Sequence, residues 1–108
     1  MMTKIEIHPP DYNDSYSRIA LDGAVYLIRF TWNEAAGRWS FGLYTAQMEP
    51  IAVGIRIVPN FPLNLQIVDD GFPFGAFVAV TSLDAIGRED FLNGKVVFAY
   101  VSAKGLPA

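Results

Sequence analysis

The chain has 108 residues, no cysteine and a formal net charge of −3. This length fits one domain, which we place at residues 1–108. The absence of cysteine excludes a disulfide framework, a thiol nucleophile and a thiolate metal site. Lysine and arginine are scattered singly along an acidic chain, which argues against binding to a nucleic-acid backbone.

The composition is apolar for so short a chain. Hydrophobic residues make up 52% of it and charged residues only 18%, whereas charged residues usually reach ~25%. A small domain cannot hide that much apolar surface, and large exposed apolar patches mark interaction sites. No stretch is long and apolar enough for a signal-peptide core or a membrane span. We therefore expect a soluble protein that contacts partner chains and no membrane.

The first half of the chain alternates apolar and polar residues with a period of two, which predicts half-buried strands. Strand candidates lie at residues 3–8 and 17–21, and Asp22 and Gly23 form a predicted tight turn after the second. Tyr26, Ile28, Phe30 and Trp32 then alternate with more polar residues, and Trp39, Phe41 and Leu43 do the same. The connection at residues 33–37 ends in glycine and predicts a hairpin. The pairing would place Trp32 and Trp39 together on one face of the sheet.

The second half continues the pattern with shorter elements. Ile51, Val53, Ile55 and Ile57 form another alternating series, which the prolines at residues 59 and 62 end. Further strands are predicted at residues 65–68, 77–81 and 95–101, and residues 82–92 allow at most one short helical turn. The fold prediction is therefore all-β: a single small antiparallel sandwich or barrel of about seven or eight short strands.

No motif indicates an active site, a cofactor site or a metal site. His8 is the only histidine, and a catalytic triad or a histidine metal site needs further partners. The acidic residues do not have calcium-loop spacing, and most lie in turn-forming contexts. Residues 71–75 lack both the dinucleotide-binding and the phosphate-loop patterns, and they predict a turn with two hydrophobic anchors, Phe72 and Phe74.

The aromatic residues divide into two groups. Most alternate with isoleucine and leucine, which predicts core packing. The others lie in segments rich in turn residues, where large aromatic side chains are more often interface anchors; these exceptions are Tyr12, Tyr16, Phe61 and Phe72.

Three stretches resemble the baseplate plug family of contractile-tailed phages, known from a cyanophage baseplate. The first is YLIRFTWNEAAGRW at residues 26–39, the second is GIRIVPNFPL at residues 54–63, and the third is VVFAYV at residues 96–101. The resemblance runs from about Ile5 to Val101, and the order of the three stretches is its most specific feature. The segment at residues 84–92 looks less typical of the family.

The resemblance implies a structural protein of the virion, in the baseplate hub at the tail axis, with no catalytic residue and no cofactor. The implied partners are hub, tube-initiator and spike proteins, in a homo-oligomer of threefold or sixfold symmetry. It assigns the Trp32/Trp39 hairpin to stability and the segment at residues 56–63 to docking on neighbours. The full set of interface candidates is Tyr12, Tyr16, Arg56, Phe61, Leu63, Phe72 and Phe74.

Three other functions are open at this point. A β-sandwich carbohydrate-binding module for host adsorption predicts an exposed planar row of aromatic rings that includes Trp32. An oligonucleotide-binding barrel is disfavoured by the charge and would show salt-sensitive binding to single-stranded DNA. A small enzyme is the weakest alternative, since catalytic groups are missing.

Overall fold

The part of the chain that the structure describes folds into two four-stranded antiparallel sheets. The computed structural model describes residues 4–21, 23–61, 63–64 and 75–102. One sheet has the strand order β1-β8-β7-β6 and the other has the order β2-β3-β4-β5. The strands are β1 Lys4–Ile7, β2 Asp14–Leu21, β3 Ala24–Asn33, β4 Arg38–Thr45, β5 Pro50–Arg56, β6 Leu63–Asn64, β7 Gly75–Thr81 and β8 Val96–Ser102.

Among the described residues each sheet keeps two unpaired edges, so the architecture is a sandwich and not a closed barrel. This confirms the all-β prediction and selects one of its two forms. The described residues contain no helix, so none of them forms a helix that could cross a membrane. The predicted helical turn corresponds to a single turn in which the Asn93 amide donates to the Glu89 carbonyl at 2.9 Å. The predicted strand at residues 65–68 lies outside the described residues.

The period-two pattern explains how the two sheets meet. One face of β3 is buried through Tyr26, Ile28 and Phe30, and the matching face of β4 through Trp39, Phe41 and Leu43. The other sheet contributes Phe77, Phe98 and Tyr100 from β7 and β8. Burying these side chains between the sheets removes apolar surface from water, which stabilises the sandwich.

Phe98 lies at the centre of this core. Its ring centroid is 5.4 Å from that of Phe30 and 5.2 Å from that of Phe41, both on the opposite sheet. It also contacts Phe77 on its own sheet and Phe91 in the connection before β8. The pairs with Phe30, Phe41 and Phe91 are edge-to-face, whereas the rings of Phe98 and Phe77 are stacked. Both arrangements add stability beyond the buried area. One residue of β8 thus joins both sheets and a loop.

The edge strand β5 departs from the regular alternation that the sequence predicts. Its register against β4 shifts between Phe41 and Leu43 and again between Leu43 and Tyr44. Gly54 has a φ of 66°, a conformation that glycine adopts without strain and that is typical of bulges. As a result Val53 is 58% exposed, whereas Ile57 beyond the strand is buried. The predicted alternating series therefore does not keep one face throughout.

Candidate interaction surfaces

Three surface regions contain most of the polar and aromatic contacts outside the core. The first, called the hairpin end, comprises the β3–β4 hairpin with residues 11–13 and 87–91. The second, called the crossing segment, is residues 56–61, which pass from one sheet to the other. The third is the outer face of β2, β3 and β4 around Tyr16.

The hairpin end is built on the predicted tryptophan pair. Trp32 lies opposite Trp39 in the register of β3 and β4, with the ring centroids 5.5 Å apart. Trp39 is 1% exposed, and its Nε1 donates to the Gly87 carbonyl at 3.3 Å. Trp32 is half-buried, and its Nε1 donates to a carboxylate oxygen of Glu34 in the hairpin loop. The prediction that the two rings meet on one face is confirmed.

Arg88 also contributes to the hairpin end, a contact that no sequence pattern predicted. Its guanidinium carbon lies 5.3 Å from the Trp39 ring centroid. Nε donates to Asn13 Oδ1 at 2.7 Å, and Nη2 donates to Asp11 Oδ1 at 3.1 Å. The side chain therefore ties the segment before β2 to the connection before β8. Exposed Tyr12 lies between the two acceptor residues in sequence.

The crossing segment is fastened at both of its ends. The Ile57 amide donates to the Trp39 carbonyl at 3.0 Å, which extends the pairing of β4 beyond Arg56. The Asn60 amide donates to the Ala79 carbonyl at 2.7 Å. The Asn60 side chain donates to the Thr81 carbonyl at 2.6 Å and accepts from the Thr81 amide at 3.0 Å, so it pairs with β7 much as a strand would.

This anchored backbone leaves Phe61 with 62% of its surface exposed. A phenylalanine so exposed on a fixed segment fits the description of an interface anchor. Arg56, at the start of the segment, is also exposed. Leu63 follows in β6, and Phe72 and Phe74 lie outside the described residues.

The third region corrects one detail of the sequence prediction. Tyr16 lies within β2 and not in a turn, because the strand begins at Asp14. Its ring contacts that of Tyr44 at 5.6 Å, and the Arg29 guanidinium carbon lies 5.3 Å from its centroid. Arg29 donates from Nε and Nη2 to the two carboxylate oxygens of Asp14, each at 2.7 Å.

The Arg29 hydrogen bond lowers the pKa of Asp14 below its usual value. A carboxyl whose pKa is lower in the folded state stabilises the fold above its unfolded pKa, and this contribution is lost as the pH falls through its folded pKa. The ion pair is partly exposed, with side-chain fractions of 36% for Arg29 and 48% for Asp14. Exposed pairs contribute about 1 kcal/mol or less.

We therefore expect Asp14→Asn to lower the free energy of unfolding by about 1 kcal/mol or less at pH 7. The difference from the unmodified chain should shrink as the pH falls below the usual aspartate range and disappear once the pH has passed the lowered pKa of folded Asp14, because both chains are then uncharged at this position. Urea unfolding at a series of pH values measures it. Asp84→Asn removes an exposed carboxylate that makes no ion pair among the described residues and serves as the control. A pH-independent difference would contradict the prediction.

None of these regions has the composition of a metal centre. No group of three or more His, Asp or Glu side chains in the described part of the chain is close enough to hold a metal ion. His8 is exposed just after β1. The exposed row of rings that a carbohydrate-binding module would need is also not seen among the described residues. Trp39 is buried, and the exposed rings of Tyr12, Tyr16 and Phe61 belong to three different regions.

The comparison with protein families identifies the chain. The family described as "Cyanophage baseplate Pam3 plug gp18" matches residues 2–103. The chain belongs to this family. A comparison with curated proteins returned no match. As a member of the baseplate plug family, the protein is a structural component of the phage tail baseplate, located in the virion and in contact with other baseplate proteins.

Each of the three regions holds an exposed aromatic side chain on a hydrogen-bonded backbone: Tyr12 in the hairpin end, Phe61 in the crossing segment and Tyr16 in the third region. Arg29 and Arg88, which organise two of the regions, were not among the residues predicted from the sequence.

Proposed function

We propose that the protein closes the tail tube from the baseplate hub, at the axis of a contractile tail. The match to the plug family over residues 2–103 is the observation that carries this proposal. In this role the plug acts by packing against hub, tube-initiator and spike proteins and carries no catalytic step. It needs no contact with nucleic acid, in keeping with a net charge of −3.

The docking contacts are made chiefly by the crossing segment and its neighbours. Phe61 is the central anchor, because its exposed ring sits on a backbone fixed by Ile57 and Asn60. A pre-organised anchor loses little conformational entropy when it binds, so most of its buried area contributes to affinity. Arg56 and Leu63, which lie on either side of Phe61 in the sequence, contact the same neighbours, and Tyr12, Tyr16, Phe72 and Phe74 form further contacts.

Around the tail axis the plug forms a ring of threefold or sixfold symmetry. Repeated heterologous contacts of this kind bury apolar surface on every copy, which accounts for a hydrophobic fraction of 52% in so small a domain. The ring seals the tube until the baseplate rearranges, and then separates. The chain is made in the host cytoplasm before it joins the virion.

Labelling of purified tails tests this location. An antibody against the chain should mark the baseplate end of the tail in electron micrographs, on the tail axis. Label found only on the capsid, or on no part of the particle, would rule the location out. Averaged images of labelled tails also report the symmetry of the ring.

Phe61→Asp tests the docking surface. We expect incorporation of the variant into tails to fall at least about tenfold, since removing a central aromatic anchor typically costs more than 1.4 kcal/mol of binding. Incorporation is measured by quantitative immunoblotting of purified particles, beside circular dichroism of the free chain. Leu92→Asp is the matched control, because Leu92 is 46% exposed but lies outside the docking set. Equal incorporation of both variants would refute the role of Phe61.

A further inference from the structure

The strand β2 forms an open and regular sheet edge. Its eight residues pair continuously with β3, from Asp14 opposite Thr31 to Leu21 opposite Ala24. No described residue pairs with its other side. The strand contains no proline and no bulge, two of the features that usually protect an edge from pairing with another chain. The opposite edge of the same sheet, β5, has both.

The register identifies which backbone groups of β2 face outward. The Trp32 amide donates to the Asn13 carbonyl at 2.7 Å, one step before Asp14. Hydrogen-bonded pairs alternate along an antiparallel ladder, so the odd-numbered residues of β2 bond to β3. The even-numbered residues therefore direct their N–H and C=O groups away from the sheet; these are Asp14, Tyr16, Arg18 and Ala20.

We propose that two copies of the chain pair through these edges as an antiparallel dimer, with Tyr16 opposite Tyr16 of the second copy. This register places Asp14 opposite Arg18 of the second copy, and symmetry repeats the contact. Each of these pairs exchanges two backbone hydrogen bonds. The β2-β3-β4-β5 sheets of the two copies become one continuous sheet across the contact.

Charge selects this register over its neighbours. Arg18 is exposed and makes no hydrogen bond or ion pair among the described residues. Opposite charges facing each other across strands are stabilising, and like charges are destabilising. Centring the dimer on Arg18 or on Asp14 would bring like charges together. Centring it on Ser15 or Ser17 would leave Arg18 with no carboxylate opposite.

A second observation on the other face of β2 agrees with the same register. The Ser15 hydroxyl is buried and has no hydrogen-bond partner among the described residues. In the proposed dimer Ser15 lies opposite Ser17 of the second copy, in a non-hydrogen-bonded pair whose Cα atoms are about 4.5 Å apart. Rotation of Ser15 about χ1 lets the two hydroxyls bond. Dimerisation thus satisfies a polar group that the single chain leaves unpaired.

The proposed dimer is a state of the free chain, before assembly, and it does not depend on the proposed place of the protein in the tail. A contact with twofold symmetry closes on itself, so it is distinct from a threefold or sixfold ring at the tail axis. The contact is short, and short interfaces give weak, concentration-dependent association. Pairing would cover the open edge before the chain meets its baseplate neighbours.

Single-cysteine cross-linking tests both the contact and its register, because the chain has no native cysteine. Only a residue on the twofold axis lies opposite the same residue of the second copy. The two Cα atoms are then about 5.5 Å apart, a distance that a disulfide can span. Under mild oxidation Tyr16→Cys should form a disulfide-linked dimer at least about tenfold faster than Arg38→Cys, an exposed position on β4. A faster reaction of Arg18→Cys would overturn the register.

Sedimentation velocity over a range of protein concentration tests the dimer without a cysteine. The unmodified chain should show a concentration-dependent dimer, and Arg18→Glu should raise its dissociation constant at least about tenfold by facing Asp14 with a like charge. Arg38→Glu makes the same change of charge away from the edge and should leave dimerisation unchanged. A chain that remains monomeric at every concentration, with Tyr16→Cys no faster than Arg38→Cys, would overturn the proposal.

Discussion

Replacing Trp39 with alanine is expected to lower the free energy of unfolding by about 3–5 kcal/mol. The Trp39 side chain is 1% exposed, and its ring packs against those of Trp32 and Phe91. Truncation leaves a cavity between these rings, removes the hydrogen bond to the Gly87 carbonyl and takes away the ring beneath Arg88. Urea unfolding followed by circular dichroism measures the change.

Tyr12→Ala is the control for this prediction. Tyr12 lies at the same end of the molecule but is 66% exposed, and exposed positions usually change stability by no more than about 0.5 kcal/mol. Similar losses in the two variants would contradict the central position of Trp39. A large loss for Trp39→Ala alone would show that the hairpin end is held by its core ring.

Phe98→Ala should destabilise the domain by a similar amount, about 3–5 kcal/mol. Phe98 is 1% exposed and contacts Phe30 and Phe41 across the sandwich, as well as Phe77 beside it. Its loss opens a cavity between two sheets that cannot close without moving both. Because domains of this size are stable by only about 5–15 kcal/mol, the variant should show a clearly lower thermal midpoint in calorimetry.

Two further substitutions serve as controls for Phe98→Ala. Phe98→Leu keeps the site apolar and most of its volume, so it should lose less stability than the alanine variant. Val80→Ala on the neighbouring strand removes an exposed side chain, and we expect a change within about 0.5 kcal/mol. If Val80→Ala proved as costly as Phe98→Ala, the assignment of Phe98 to the buried face of this sheet and of Val80 to its exposed face would be wrong.

The strands β3 and β4 could be predicted because local pattern and tertiary packing agree there. Tyr26, Ile28 and Phe30 alternate in the sequence and are all buried in β3. A five-residue connection ending in glycine was enough to predict the hairpin, and the register then brought Trp32 and Trp39 together. The observed loop is one residue shorter, since Asn33 pairs with Arg38.

The start of β2 shows where local propensity misleads. Residues 13–15 are an Asn-Asp-Ser run that favours turns, yet the strand begins at Asp14. Asp14 is held by Arg29 on β3, fifteen positions away in the sequence. A contact between distant residues can override a turn preference, and one sequence alone does not reveal it.

The crossing segment shows a similar limit. The proline pair correctly predicted the end of a strand, but the role of Asn60 depends on β7, about twenty residues later. The bulge at Gly54 is easier to predict from the sequence, because an isolated glycine in a strand pattern suggests a bulge. Arg88 could not be anticipated, since its acceptors Asp11 and Asn13 lie far away at the other end of the chain.

The bulge in β5 has a consequence for how far this sheet can grow. A sheet that is extendable on both sides can add copies without limit, as fibrils do. Here β2 accepts a neighbour, whereas the kinked β5, with Pro50 at its start, presents an interrupted ladder. The sheet formed by two molecules joined at β2 therefore has a β5 strand at each of its outer edges, and neither edge is suited to pair with a further strand. Through this sheet the chain can form a dimer but not a filament, because pairing at β2 leaves only the two β5 edges, which do not accept a third copy.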